Sequence, residues 1–176
     1  MTRAALFRPR PRRTPGIVLG IGLGGFVDGI VLHQILQWHN MGSAVLPPTT
    51  MEAMQQNMRW DGWFHVVSLA ITVAGVFLLL REATHNRQLP VARGLMGQML
   101  VGWGAFNVFE GVVDHVVLEI HHVHDLPTYL PMYDWLFFAF SLVLLVAGWL
   151  LATRGDVAAR SRLRATDLLA HPATDP

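Results

Sequence analysis

The sequence contains no cysteine and no lysine, and only 14% of its 176 residues are charged. The absence of cysteine excludes disulfides, thiolate metal sites and a cysteine nucleophile. Soluble domains carry about 25% charged residues, whereas here 52% of the residues are hydrophobic and the mean hydropathy is +0.39. The composition therefore excludes an ordinary soluble domain and predicts a chain that lies in a lipid bilayer.

Four windows of the chain are long and apolar enough to cross a membrane. A hydrocarbon core about 30 Å thick needs roughly 20 mostly apolar residues in a helix. The four windows are 16–38, 63–80, 94–120 and 135–153. Because the connections between them are short, we predict an all-α fold, a four-transmembrane-helix bundle that occupies residues 16–153.

The basic residues predict the orientation of this bundle. All 13 are arginines, and all except Arg59 lie in the N-terminal arm 1–15, in the loop between the second and third windows, or in the tail 154–176. By the positive-inside rule, both termini are cytoplasmic and the loops 39–62 and 121–134 face outward. We expect a multi-pass protein of the bacterial cytoplasmic (inner) membrane with the lipid bilayer as its partner, no nucleic-acid partner, and a tail that is a frayed helix or disordered.

A comparison of the chain with itself reveals an internal repeat, which aligns Asp28 with Glu110 and His33 with His115. Both halves contain the pattern acid-Gly-x-x-x-His-x-x-x-x-x-His, beginning at these two acids. The shared positions are acids, glycines and histidines, which general hydrophobicity does not explain. We predict two tandem helix-pair repeats, at about 16–81 and 94–153, related by a pseudo-twofold axis along the membrane normal.

Ionisable residues inside a membrane cost about 2.5–3.5 kcal/mol each and mark a function or a partner. Seven of the nine histidines lie in the outer half of the windows or just beyond them. They are the candidate metal ligands, namely His33, His39, His65, His115, His121, His122 and His124. We expect the centre of the site at His33, His65 and His115.

Several carboxylates lie at a similar depth and are candidates for orienting the ligands or handling protons. They are Asp28, Asp61, Glu110, Asp114 and Asp134. In a continuous α-helix, His39 lies about 16 Å from Asp28. The polar groups are therefore expected to form a column that extends into the membrane and not one coordination sphere.

Histidine and carboxylate ligands without cysteine suit copper, iron or zinc in a helix bundle. A pair of histidines could also hold a haem. Methionines in the outer loops favour copper(I), although three of them also have the spacing of an amphipathic membrane-surface helix. These methionines are Met41, Met51, Met54, Met58 and Met132. We therefore expect a redox or metal-handling role with copper as the favoured ion, and leave open whether the protein is a membrane metallo-oxidoreductase.

Two other functions fit the same residues. Asp28 and Glu110 could line the pathway of a proton-coupled small transporter or channel, although the apolar cytoplasmic halves of the second and fourth windows argue against access from both sides. Alternatively, the histidines could hydrogen-bond the helices together in a structural membrane subunit. Each of these functions, like the metal site, is compatible with a homo-oligomer.

Three segments carry a resemblance to a known family. GFVDGIVLHQILQWH, DGWFH and FNVFEGVVDHVVLEIHHV are similar to motifs of a bacterial family of predicted four-helix membrane proteins, the domain of unknown function 2243 family, over about residues 15–153. The resemblance implies an integral membrane protein without an assigned activity, and partners among respiratory oxidase or copper-assembly proteins. One departure is Asn40, where the family pattern leads us to expect a histidine.

Overall fold

The structure, a computed structural model, describes residues 14–86 and 91–170, and in these ranges all the regular structure is helical. The elements are α1 (Thr14–Val27), the π-helical segment π1 (Asp28–Ile35), α2 (Met51–Asn86), α3 (Ala92–Glu110), the π-helical segment π2 (Gly111–Val117) and α4 (Met132–Ala170). Most of the predicted N-terminal arm and the last six residues of the predicted tail lie outside the described residues.

Three helical segments are long and apolar enough to cross a membrane. They are Thr14–Ile35, Met51–Thr84 and Met132–Gly155, with hydropathies of 1.8, 2.2 and 2.3. The remaining helical segment, 92–117, has a similar length but buries the polar side chains of Gln98, Asn107 and Glu110. The described chain therefore has three candidate membrane spans and a fourth, more polar helix.

The helices pack in the order α2, α1, α3, α4. Helix α1 contacts both α2 and α3, and α3 contacts both α1 and α4, whereas α2 and α4 make no close backbone approach within the described ranges. The two central helices carry the polar residues, and the outer helices expose large apolar side chains such as Phe77 and Trp149. An apolar outer surface of this kind is what contact with lipid requires.

Two glycines allow the central helices to approach each other closely. Gly20 of α1 lies against the backbone of Met99, and Gly102 of α3 lies against the backbone of Ile17. A Cβ atom at either glycine would overlap the opposing carbonyl group. Small residues at such crossings are typical of helix pairs in membranes. The two contacts are equivalent, because the repeat aligns Gly20 with Gly102 and Ile17 with Met99.

The helix boundaries differ from the sequence prediction in two places. Residues 51–62, predicted as part of an outer loop, form the first turns of α2, which begins where Thr50 Oγ1 accepts a hydrogen bond from the Ala53 N–H. Threonine is a favourable residue at this helix-capping position. Residues 154–170, predicted as a frayed helix or a disordered tail, continue α4 as a helix, since they are rich in the strong helix formers alanine, leucine and arginine.

Candidate metal centre

The two π-helical segments place each acid beside its histidine. A π-helix pairs residue i with residue i+5, which is the spacing of Asp28 and His33 and of Glu110 and His115. A regular α-helix would rotate the second residue of each pair by about 140° from the first. The change in helix type therefore brings together groups that α-helical periodicity keeps apart. Segments of this kind often occur at functional sites.

Both π-helical segments end in the same chain reversal. Gln37 and Glu119 adopt left-handed conformations, with φ values of 52° and 48°. The chain then turns back, so that His39 and His121 lie beside the helical residues that precede them. The expected separation of about 16 Å between His39 and Asp28 is therefore wrong, because their ligand atoms lie within 4.8 Å of each other.

Six buried side chains form two groups, which we call the first and second triads. The first triad is Asp28, His33 and His39, and the second is Glu110, His115 and His121. Within each triad, one possible ligand atom from every side chain lies within 4.8 Å of the others. The triads adjoin each other, since the rings of His39 and His121 stack with their centroids 4.7 Å apart.

The Nδ1 atoms of the two loop histidines hydrogen-bond to backbone carbonyls across the repeat. The Nδ1–H of His39 donates to the carbonyl of Val123 at 2.9 Å, and that of His121 donates to the carbonyl of Met41 at 3.2 Å. A hydrogen bond at Nδ1 fixes the tautomer and leaves the Nε2 lone pair available to a metal. Both loop histidines therefore present Nε2 as a ligand atom.

Carboxylates from α2 and α4 hold the two helical histidines. His33 Nδ1 donates to Asp61 Oδ1 at 3.0 Å, and His115 Nδ1 lies 3.4 Å from Asp134 Oδ1. Such carboxylate–imidazole contacts orient metal ligands and increase their basicity. The first contact is the shorter and the more buried, because Asp61 is 1% exposed and the side chain of Asp134 is 14% exposed.

The atoms that face one another within the triads make no hydrogen bond, although acid and imidazole meet there as ion pairs. They are Asp28 Oδ2, both carboxylate oxygens of Glu110, and Nε2 of His33, His39, His115 and His121. Each buried polar atom left without a partner costs about 1–3 kcal/mol. His33 Nε2 lies 3.0 Å from Asp28 Oδ2, and a spacing of about 3 Å suits two ligands on one ion with bonds of about 2.0–2.2 Å. The donor atoms of each triad therefore lie close enough together to hold a metal ion.

The loop histidines are uncharged at neutral pH. Burial, followed by the neighbouring His33, lowers the pKa of His39 to about 4. Burial also lowers the pKa of His121 well below its usual range, with His39 as the next cause. A neutral imidazole is the form that binds metals, so neither residue has to lose a proton at pH 7 before it can coordinate an ion.

Three of the predicted histidine ligands lie outside the triads. His65 belongs to neither triad, and its Nε2 lies against Gly29. His122 Nδ1 lies 3.3 Å from Asp134 Oδ2, and His124 Nδ1 donates to the carbonyl of Thr128. The structure thus brings His33 and His115 together with the two loop histidines and not with His65, which projects from α2 one turn beyond Asp61.

The remaining predicted residues occupy distinct places. Asp61 and Asp134 contact the helical histidines as described, whereas Asp114 is only partly buried and belongs to neither triad. Three methionines of the expected copper(I) set are exposed on the first turns of α2, whereas the triads are buried. They are Met51, Met54 and Met58.

Sequence reasoning missed the backbone groups and the amide that complete the site. The carbonyls of Met41 and Val123 accept from the loop histidines, and no side-chain pattern identifies a backbone acceptor. Asn40, which departs from the family pattern, donates from Nδ2 to Asp61 Oδ2 at 2.8 Å. The signal that could have identified the two carbonyls is the repeat alignment, which pairs Met41 with Val123.

Backbone hydrogen bonds between the two halves follow the same alignment. The Ala44 N–H donates to the Ile120 carbonyl at 3.1 Å, and the Leu126 N–H donates to the Trp38 carbonyl at 2.8 Å. The two donors occupy equivalent positions in the repeats, and so do the two acceptors. These two hydrogen bonds join the outer loops to each other beside the triads.

The apolar helices and the buried histidine–carboxylate cluster define an α-helical membrane protein with a polar centre. The chain belongs to the family described as predicted membrane protein (DUF2243), which matches residues 15–155. The match covers both triads and confirms the resemblance seen in the sequence motifs. No curated protein and no solved structure matches the chain.

Proposed function

We propose that this protein is an integral membrane metal-binding protein that holds two divalent transition-metal ions, one in each triad. The observation that carries the proposal is the set of buried ligand atoms that make no hydrogen bond and converge within each triad. A role in redox chemistry or metal handling follows from the metals that such ligands select. When bound, the ions would supply Lewis acidity or electron exchange, and the chain supplies the ligands and their orientation.

The ligand set supports iron, copper or zinc. Each triad offers two imidazoles and one carboxylate, with no sulfur ligand among its members. This combination, with open positions, is typical of non-haem iron sites, and imidazole also suits copper and zinc. The exposed methionines on α2 do not add to the case for copper. A carboxylate in each triad favours single ions over a haem with two axial histidines.

The charges of the buried carboxylates favour two ions. With ions bound, Asp28 and Glu110 would contribute one negative charge each within the triads, and Asp61 and Asp134 would contribute two more beside them. Two divalent cations balance these four charges. Balance matters because an uncompensated charge in a low-dielectric interior is costly.

We place the metal centre near the extracytoplasmic face of a bacterial inner membrane. The loops that carry His39 and His121 lie at the end of the helices opposite to the arginine-rich loop and tail, and the positive-inside rule assigns arginine to the cytoplasm. The equivalent contacts in the two halves support a protein built of two tandem helix-pair repeats. Partners among respiratory oxidase or copper-assembly proteins remain part of this proposal.

One observation favours a proton pathway as a second candidate. His33 lies 3.0 Å from both Asp28 and Asp61, and a carboxylate–imidazole–carboxylate chain can hold a proton in place of a metal ion. In that function, Asp28 and Glu110 would handle protons in a transporter or channel, and the triads would stay free of metal.

Elemental analysis with an optical spectrum tests the proposal. The protein is purified without a polyhistidine tag, beside the double variant His33→Ala/His115→Ala and the control His65→Ala, which alters a histidine outside the triads. We expect about two ions per chain in the wild type and the control, and loss of both in the double variant. Thermal unfolding verifies that each variant is folded.

A wild-type protein that stays colourless and free of metal after reconstitution with copper, iron and zinc would refute the metal function. That result would favour the proton pathway or a structural role for the histidines.

A further inference from the structure

A groove opens between π1, α3 and α4 beside the first triad. Its volume is about 380 Å³, which lies in the range of small-molecule sites. Most of its lining is apolar or aromatic, including Val31, Trp38, Trp103, Tyr133, Leu136 and Phe140. Asp28 and Asn107 also line it, and both are buried, at 4% and 2% exposed. The groove therefore has an apolar wall and a buried polar end.

The mouth of the groove faces the bilayer. Val31 and Leu136 are 37% and 54% exposed, and each belongs to a helical segment that is long and apolar enough to span a membrane. Exposed apolar side chains at this depth contact lipid chains. A molecule that enters the groove would therefore come from the membrane and not from water.

Asn107 makes the inner end of the groove a site for a hydrogen-bonding ligand. Its Oδ1 atom is buried and has no hydrogen-bond partner. An unpartnered buried amide oxygen is costly, and a hydroxyl group that donates to it would remove that cost. A hydroxyl group can also accept from the Nδ2 of the same amide.

The aromatic side chains suit a planar ring. Trp103 and Phe140 meet edge to face with centroids 5.7 Å apart, and Trp38 and Tyr133 do so at 4.9 Å. Trp38 and Tyr133 also pack against His124, so the pair Trp103 and Phe140 is the better stacking wall. Stacked or edge-on aromatic contacts add to the gain from apolar burial. A flat, apolar ring gains more from such walls than a flexible chain does.

The other half of the molecule provides an internal comparison. A second groove is lined by residues that include Trp60, Trp63, Phe64 and Val67, but by no carboxylate and no amide. Its Trp63 follows Asp61 as Leu136 follows Asp134, and the repeat alignment places Gly25 at the position equivalent to Asn107. The polar end is therefore specific to the groove beside the first triad, although the two halves are otherwise alike.

We propose that the groove beside the first triad binds a lipid-soluble phenol or quinol, with the hydroxyl group at Asn107 and the ring against the aromatic walls. The ligand would lie next to Asp28, and its relevance to the metal centre rests on the proposed function. Binding itself can be measured with or without metal.

Calorimetry in lipid nanodiscs tests this inference, with empty nanodiscs as the blank. The probes are heptylphenol and heptylbenzene, which differ only in the hydroxyl group. We expect saturable binding of heptylphenol, weakened about threefold to tenfold by Asn107→Leu, because the variant removes one hydrogen bond. Heptylbenzene should bind more weakly and respond little to that variant.

Two further variants control for the location. Leu136→Trp copies the residue of the second groove and should abolish binding of heptylphenol, whereas Val67→Trp, in the second groove, should leave it unchanged. Because Leu136 is exposed, its variant gives a test even where Asn107→Leu does not fold. Equal binding of the two probes, or binding that neither Asn107→Leu nor Leu136→Trp weakens, would overturn the inference and indicate a groove for lipid chains.

The metal content of the same samples separates the two proposals. Protein that stays metal-free after reconstitution and binds heptylphenol in an Asn107-dependent manner refutes the metal function and retains the groove. Protein with two ions that does not distinguish the probes refutes the groove and retains the metal function.

Discussion

Replacing Asp61 by asparagine should weaken the binding of one metal ion and leave the other bound. Asp61 is 1% exposed, accepts from the Met41 N–H and the Asn40 amide at 2.8 Å each, and receives the Nδ1–H of His33 at 3.0 Å. An asparagine side chain has a similar shape, but it removes the negative charge and turns an NH₂ donor toward groups that are themselves donors. His33 would then lose its orientation.

The magnitude follows from this environment. Loss of a carboxylate that orients a metal-bound histidine lowers metal affinity about 10- to 100-fold, which is about 1.4–2.7 kcal/mol. Full burial and three partners place Asp61→Asn near the upper end. Asp134→Asn should fall near the lower end, because the Asp134 side chain is 14% exposed and its distance to His115 is 3.4 Å.

Competition with chelators of known affinity measures each ion separately. Asp125→Asn is the matched control, since Asp125 accepts from Ser43 Oγ and the His122 N–H and contacts no histidine ring of the triads. The control should change either affinity by less than about threefold. Equal weakening of both ions by Asp61→Asn, or no change in either, would refute the division into two triads.

Three further outcomes follow from the packing and the backbone. Gly20→Val should lower the free energy of unfolding by about 1–3 kcal/mol, because the new side chain would overlap the α3 backbone. Gly62 has open space beside it, so Gly62→Ala should be neutral or slightly stabilising. Thermal unfolding in detergent compares the two variants. Gln37→Gly should be tolerated, whereas Gln37→Val should lower the free energy of unfolding by about 1–2 kcal/mol, because valine resists the left-handed conformation. An undiminished melting temperature for the valine variant would contradict this. Replacing both Met54 and Met58 by leucine should leave the metal content unchanged. Less metal in the variant by elemental analysis would indicate that these methionines are ligands.

The sequence predicted the helical segments in which apolar residues dominate. It missed the first turns of α2, where polar residues are frequent. The first turns of α2 contain glutamate, glutamine, asparagine and arginine among the methionines. A hydropathy window cannot distinguish such a segment from a polar loop. Its helical structure depends on the Thr50 cap and on packing beside the outer loops.

The residues of the triads were among those predicted, but the expected centre at His65 and the geometry of the site were not found. The repeated acid–Gly–His pattern identified all six residues of the triads, and Asp61 and Asp134 were expected to assist them. The expectation that His39 lies far from Asp28 assumed a continuous α-helix. The π-helical turn and the reversal at Gln37 depend on contacts between the repeats, such as the Ala44–Ile120 hydrogen bond, and local periodicity contains no information on them.

Counting metal ions in single-histidine variants tests the central claim most directly. The metal-free wild type, His39→Ala and His121→Ala are titrated with the metal found in the native protein, and tightly bound ions are counted by elemental analysis after dialysis. The two-triad account predicts two ions in the wild type and one in each variant. Two ions in both variants, or none in the wild type, would contradict it.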